Sequence, residues 1–252
     1  MISYYAIFTI VKYRIREFFF EYHYSILAPL ISNLLFVVVF STIDRLYLLS
    51  TENISYIDFL IPGLIIMIVA QESFDNPSVS IINSKQIGSF NDFLLAPISR
   101  IEIFISYTLS QIFIGLIIGI INFILLSYFF SYSIFSIISF IYYLSLVIIF
   151  FSSIGLVVGF LSYRWDTQST VSNFFISPLI FLSGTFFSIN SLPENFRIIL
   201  FYNPFYYIVS HFRESFFQTE INFYNNFMVF TFVFIIFIIS AHIFYRGYNV
   251  IK

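Results

Sequence analysis

The sequence predicts an all-α membrane protein: six transmembrane helices, an interfacial amphipathic helix before them, and an outer re-entrant helical hairpin before the last. Three observations carry the prediction. Of 252 residues, 60% are hydrophobic and 10% charged, and mean hydropathy is +0.94, more apolar surface than a chain of this size can hide in water. The apolar residues fall in long stretches, and about 20 helical residues cross a bilayer core of roughly 30 Å. Polar residues and prolines collect between those stretches.

Residues 1–24 alternate bulky apolar positions with Lys12, Arg14, Arg16, Glu17 and Glu21. They lack a small-residue cleavage site and read as a helix lying on the membrane with its basic face to the headgroups. The expected spans are 25–43, 59–76, 103–130, 137–161, 171–187 and 223–244. Pro29 falls in the first turns of the first span, where proline is tolerated best. The second span ends among Gln71, Glu72, Asp75, Asn76 and Pro77, and its two carboxylates are expected to reach headgroup water. A weakly hydrophobic loop, 78–101, follows. Arg164, Trp165 and Asp166 mark a second loop on the same side. Residues 188–220 are apolar but broken by Pro193 and Pro204, as two short helices that dip into the membrane and return would be; backbone there has to be shielded by protein.

Six spans place both termini on one side. With the termini inside, inner segments hold Lys12, Arg14, Arg16, Lys85, Arg100, Arg164, Arg246 and Lys252, against Arg45, Arg197 and Arg213 outside. That asymmetry follows the positive-inside rule.

Much chemistry is missing from the sequence. Net charge is −2, which gives no basis for nucleic-acid binding. There is no cysteine, hence no disulfide, thiol catalysis or thiolate metal site. No phosphate-binding Gly-x-x-x-x-Gly-Lys-Ser/Thr loop, no His-Glu-x-x-His helix and no Gly-x-Ser-x-Gly elbow occurs. His23, His211 and His242 lack metal-ligand spacing. Within the expected spans Gln111 and Asn122 are polar but neutral, which weighs against an ion-coupled secondary carrier. A lipid-modifying membrane enzyme would need clustered acids, histidines or serines at one surface, and no such cluster stands out. The 38 Phe and 19 Tyr read first as compositional bias and lipid-facing surface; an aromatic groove for lipidic cargo is the alternative. Gly115 with Gly119, and Gly155 with Gly159, are small-xxx-small pairs suited to close helix packing within the chain.

Several segments then resemble one family. Tyr56-Ile-Asp-Phe-Leu-Ile-Pro-Gly-Leu-Ile-Ile-Met67 is similar to the second-span entry of type-2 ABC exporter permeases. Phe93-Leu-Leu-Ala-Pro-Ile-Ser-Arg100 resembles that family's cytoplasmic coupling region. Phe181-Leu-Ser-Gly-Thr-Phe-Phe187, Ser191-Leu-Pro193 and Asn203-Pro204-Phe-Tyr-Tyr207 resemble its fifth span and outer hairpin. The order and spacing hold over about residues 56–217, with most similarity to small bacterial inner-membrane transport permeases.

The resemblance implies a permease subunit that moves a lipid, glycan or drug-like substrate using ATP hydrolysed elsewhere. ATP and magnesium would sit on separate ABC ATPase subunits, the permease would form a homodimer among membrane lipids, and no cofactor would be bound by this chain. It implies ATPase coupling through Lys85, Phe90, Asp92, Phe93, Leu94 and Pro97. It implies outer-hairpin roles for Pro193, Asn203, Pro204 and Arg213. One departure is visible: Ile87-Gly-Ser-Phe-Asn91 is neutral where relatives carry charges, so docking is expected to rest on apolar packing by Phe90, Phe93 and Leu94.

Overall fold

The structure is a computed structural model that describes residues 3–47, 50–51, 54–130, 133–187, 192–217 and 223–246. The ends of the expected hairpin (188–191 and 218–220) and the basic tail beyond Arg246 lie outside the described residues.

Helix α1 (Tyr4–Phe20) starts at Ser3, whose hydroxyl accepts the Ala6 N–H at 3.4 Å, satisfying one orphan donor of the first turn. A π-helical turn, His23–Leu27, leads into α2 (Ala28–Tyr47). Ser50–Thr51 and Ile54–Ser55 form a minimal antiparallel pair. Then come α3 (Tyr56–Ile87), the short α4 (Phe90–Leu95), α5 (Arg100–Phe130) and α6 (Ile137–Leu161). Helix α7 (Trp165–Val171), a π-helical turn (Ser172–Ile176) and α8 (Ser177–Phe181) make one continuous helical run. Helices α9 (Glu194–Tyr202), α10 (Pro204–Glu214) and α11 (Phe223–Arg246) complete the order.

Among the described residues, five helical stretches are long and apolar enough to cross a membrane: His23–Ile43, Tyr56–Ile87, Arg100–Phe130, Ile137–Leu161 and Asn226–Arg246. The segment expected as a span at 171–187 is helical only to Phe181 and begins at Trp165. That run extends for roughly 25 Å at 1.5 Å per residue, short of a bilayer core, and turns follow it over 182–187. Polar Asp166, Thr167 and Gln168 hid its true start.

The second span also differs from expectation. It does not end at 76; the helix runs on to Ile87, so residues 78–87 are helix and not loop. Pro77 lacks an N–H and crowds the preceding turn, yet the helix continues through it. Here the Ser78 hydroxyl donates to the carbonyls of Phe74 and Asp75, both at 2.9 Å, which holds the loosened turn as serines do in membrane helices. Gly88 ends α3 in the left-handed region, φ +89°, a conformation that costs glycine nothing.

Helix α3 is the centre of the bundle and packs most extensively along α6. The contact is backbone on backbone. A Cβ on Gly159 would come within 2.7 Å of the Ser78 Cα, and one on Gly155 would strike the Phe74 carbonyl. Gly115 and Gly119 instead face side chains, Ile148 and Leu144. All four glycines therefore serve packing inside the chain.

Helix α1 packs along α5 and departs from the simple interfacial reading. Lys12 and Arg16 are exposed, but Arg14 is only 4% exposed. Its guanidinium donates to Glu17 at 2.5 Å, to Asn76 at 2.7 Å and to Ser80, and stands over the Tyr107 ring at 5.0 Å. Burial of an arginine requires such partners. The α1 backbone is tied down as well: the Ser3 N–H donates to Glu102 at 2.5 Å. Glu102 also closes a capping box on α5, accepting the Ser99 N–H at 2.5 Å while the Ser99 hydroxyl accepts the Glu102 N–H at 3.2 Å.

Candidate functional site

Three places on the bundle hold the polar chemistry: the end carrying α4, the opposite end where α3 begins, and the middle of α3.

At the α4 end, Lys85 reaches across to α6. Its ammonium donates to the carbonyls of Gly159 (3.1 Å), Phe160 and Ser162 (3.1 Å), the orphan acceptors at the end of that helix. The rings of Phe160 and Tyr163 lie 5.2 and 4.9 Å from it. Phe90 is buried and meets Phe160 with ring centroids 6.3 Å apart. It belongs to a cluster with Ile81, Phe104, Tyr107 and Phe244. Phe93 is partly buried against the same cluster, and its ring centroid is 6.4 Å from that of Phe90. Asp92 and Pro97 are exposed, and Leu94 lies in the backbone of α4.

Lys85 and Phe90 thus face the bundle, and Phe93 is partly exposed beside them. The most exposed apolar residues here are Ile87 (81%), just before α4, and Leu95 (85%), its last residue. Sequence reasoning passed over both. The only available signal was position: Ile87 directly precedes the helix-ending Gly88, and Leu95 is the last residue of a six-residue helix. Trp165 donates its indole N–H to Gln86 at 2.7 Å, which ties the start of α7 to the same corner. Arg164 and Asp166 are exposed beside it.

At the opposite end, Arg213 of α10 is a clamp. It donates to the carbonyls of Phe59 (3.2 Å), Gly184 (2.6 Å) and Thr185 (2.9 Å), and its guanidinium lies 3.8 Å from the Phe59 ring centroid. It joins α3, the 182–187 turns and α10. Asn203 works alongside it. Its carbonyl accepts the Phe205 N–H at 2.9 Å, capping α10, and its amide donates to Leu179 (2.7 Å) and Leu182 (3.0 Å). Pro204 occupies the first turn of α10, where a missing N–H costs nothing. Pro193 is exposed and immediately precedes α9.

In the middle of α3, Asp75 accepts hydrogen bonds from Gln71 (2.7 Å), Gln168 (2.7 Å) and Ser172 (3.0 Å). These partners come from α3, α7 and the turn after it. Because α3 extends to Ile87, Glu72 and Asp75 lie near the helix centre and not at its inner end, as the sequence had implied. Buried Asn33 of α2 donates to Asn122 of α5 at 2.9 Å.

Residues 5–217 match the ABC-2 type transporter family. The chain is 28% identical over 192 residues to "Inner membrane transport permease YadH" of Escherichia coli strain K12, covering 76% of this chain and 75% of that protein. The Shigella flexneri protein of that name matches equally. "Polysialic acid transport protein KpsM" of Escherichia coli is 27% identical over 208 residues, covering 81% of this chain and 77% of that protein.

Proposed function

We propose a mechanism on one premise: this chain belongs to the ABC-2 type transporter family. It is a membrane permease subunit of an ABC transporter, and the family implies pairing with an ABC ATPase subunit. The finer reading is export of a lipid, glycan or drug-like molecule, with ATP and magnesium held by the partner and two copies of the permease side by side among membrane lipids. The site is the bacterial inner membrane, as the name of one relative suggests. Both termini face the cytoplasm, with the helical run Trp165–Phe181 and the turns after it as the fifth of six crossings and α9–α10 as the outer re-entrant hairpin.

One observation carries the coupling assignment. The α4 helix is anchored by Phe90, buried in its cluster with the Lys85 ammonium 5.8 Å from its ring centroid, while Ile87 and Leu95 stand out beside it. A short helix with a fixed base and an apolar rim is suited to transmit motion from a protein partner. Asp92 and Pro97 complete its exposed side. Ion-coupled carriage gains one argument from Glu72 at the middle of α3, since a carboxylate there is the usual handle for ion coupling; family membership favours the ABC reading over it.

The test is mild solubilisation of the tagged chain from its host and identification of what co-purifies. A stoichiometric phosphate-loop ATPase is the expected result. A clean permease oligomer without it, under conditions that keep other ABC complexes whole, would contradict the reading.

A further inference from the structure

Two cavities adjoin beside the middle of α3, one of about 310 Å³ and one of about 190 Å³, and both are lined by Tyr24 and Glu72. The larger is walled by Phe36, Met67, Ile180 and Phe181 and also touches Asn33. The smaller carries Arg14, Glu17, Glu21 and Asp75.

The polar groups around these cavities differ in whether they are satisfied. Asp75 has its three donors. The two terminal nitrogens of Arg14 are committed to Glu17, Asn76 and Ser80, and its Nε, beside the smaller cavity, has no partner. The Gln71 amide is spent on Asp75 and Ser172. Glu72 is partly buried, and its carboxylate has no hydrogen-bond or ion-pair partner among the described residues. Asn33, 0% exposed, uses its amide N–H on Asn122 and leaves its Oδ1 without a partner. Besides the hydroxyls of Ser32 and Ser177, the larger cavity is lined by a lone carboxylate and a spare amide oxygen, both acceptors, among aromatic and aliphatic walls. Among the described residues lining the larger cavity there is no cation, so an anion there would meet Glu72 unopposed. A protonated amine supplies both what the carboxylate lacks and N–H donors for the amide oxygen, and the rings of Tyr24, Phe36 and Phe181 suit a cation with an apolar body.

We propose that this cavity binds the ammonium group of a cationic amphiphile, with Glu72 as its counter-ion. The inference deepens the permease reading and rests on it for the claim that the bound cation is cargo. An acidic glycan is the wrong charge for this site.

The experiment is photo-crosslinking on the purified full-length permease in phosphatidylcholine nanodiscs. A benzophenone-bearing alkylamine is compared with the alkyl sulfate of equal chain length, and adducts are mapped by mass spectrometry. The amine should label cavity segments of α2 and α3 in preference to the sulfate by about tenfold or more, the scale of a desolvated charge pair. E72Q should abolish that preference and E72D should keep most of it, while Glu194→Gln, on exposed α9, should change nothing. On the unaltered chain, dodecylamine should compete for labelling and dodecyl sulfate should not, a result that does not depend on any variant folding. Equal labelling by the two probes, competition by the sulfate, or a preference that survives E72Q would overturn the proposal. Labelling is read without the ATPase: loss of the ATPase partner with the amine preference intact would sink only the transporter reading, and the reverse would sink only this one.

Discussion

The two ends of α3 use cations in the same way and differ in what remains outside. Near one end Lys85 feeds the open carbonyls of α6; near the other Arg213 feeds those of α3 and the 182–187 turns. Both are structural clamps on backbone acceptors that lipid would leave unsatisfied. At the Arg213 end, Asn203 is spent inward as well. At the Lys85 end the inward residues leave an exposed apolar rim, Ile87 and Leu95. Both ends close the fold; at the Arg213 end the exposed apolar residues Ile198, Phe201 and Tyr202 lie on α9, and at the Lys85 end Ile87 and Leu95 stand just before α4 and at its last position. Prominent sequence residues can therefore be the scaffold of a site while the contact residues are inconspicuous neighbours.

Substitutions can break this comparison, beginning with the largest effect. R213A removes three charge-assisted hydrogen bonds and a ring contact and should cost on the order of 3 kcal/mol, seen as a large fall in melting temperature and in folded yield; an unchanged melting temperature would dissolve the clamp at that end. K85M should cost about 1–2 kcal/mol by uncapping α6, and K85R should restore part of it, because a cation can still reach the carbonyls. N203A should cost about 1 kcal/mol, the worth of a helix cap, checked by thermal unfolding in the same detergent. L95D should shift stability by about 0.5 kcal/mol or less, as exposed positions do, yet should remove partner binding.

Hydropathy made most of the bundle legible. The expected 137–161 matches α6 at both ends, and 103–130 misses only the first turn of α5. What escaped was set by tertiary contact. Pro77 signals a break, but Ser78 and the neighbouring α6 backbone let the helix continue. Arg14 reads as a headgroup contact, but Asn76 and Ser80 await it 62 and 66 positions further along the chain. At the candidate site, α4 is too short for a periodic pattern to say which of Phe90, Phe93 and Leu95 turns inward. The central placement of Glu72 was hidden by the same misjudged end of α3. The family resemblance carried the function, since no residue pattern here names a reaction.

The central claim is the division at the α4 end between residues that hold the helix and residues that meet the partner. The most direct test measures melting temperature and ATPase co-purification on the same preparations of L95D and F90A. The account predicts that L95D keeps its melting temperature and loses the ATPase, whereas F90A loses several degrees, the effect of a cavity beside Phe160 and Phe244. Retention of the ATPase by L95D at full stoichiometry would contradict it.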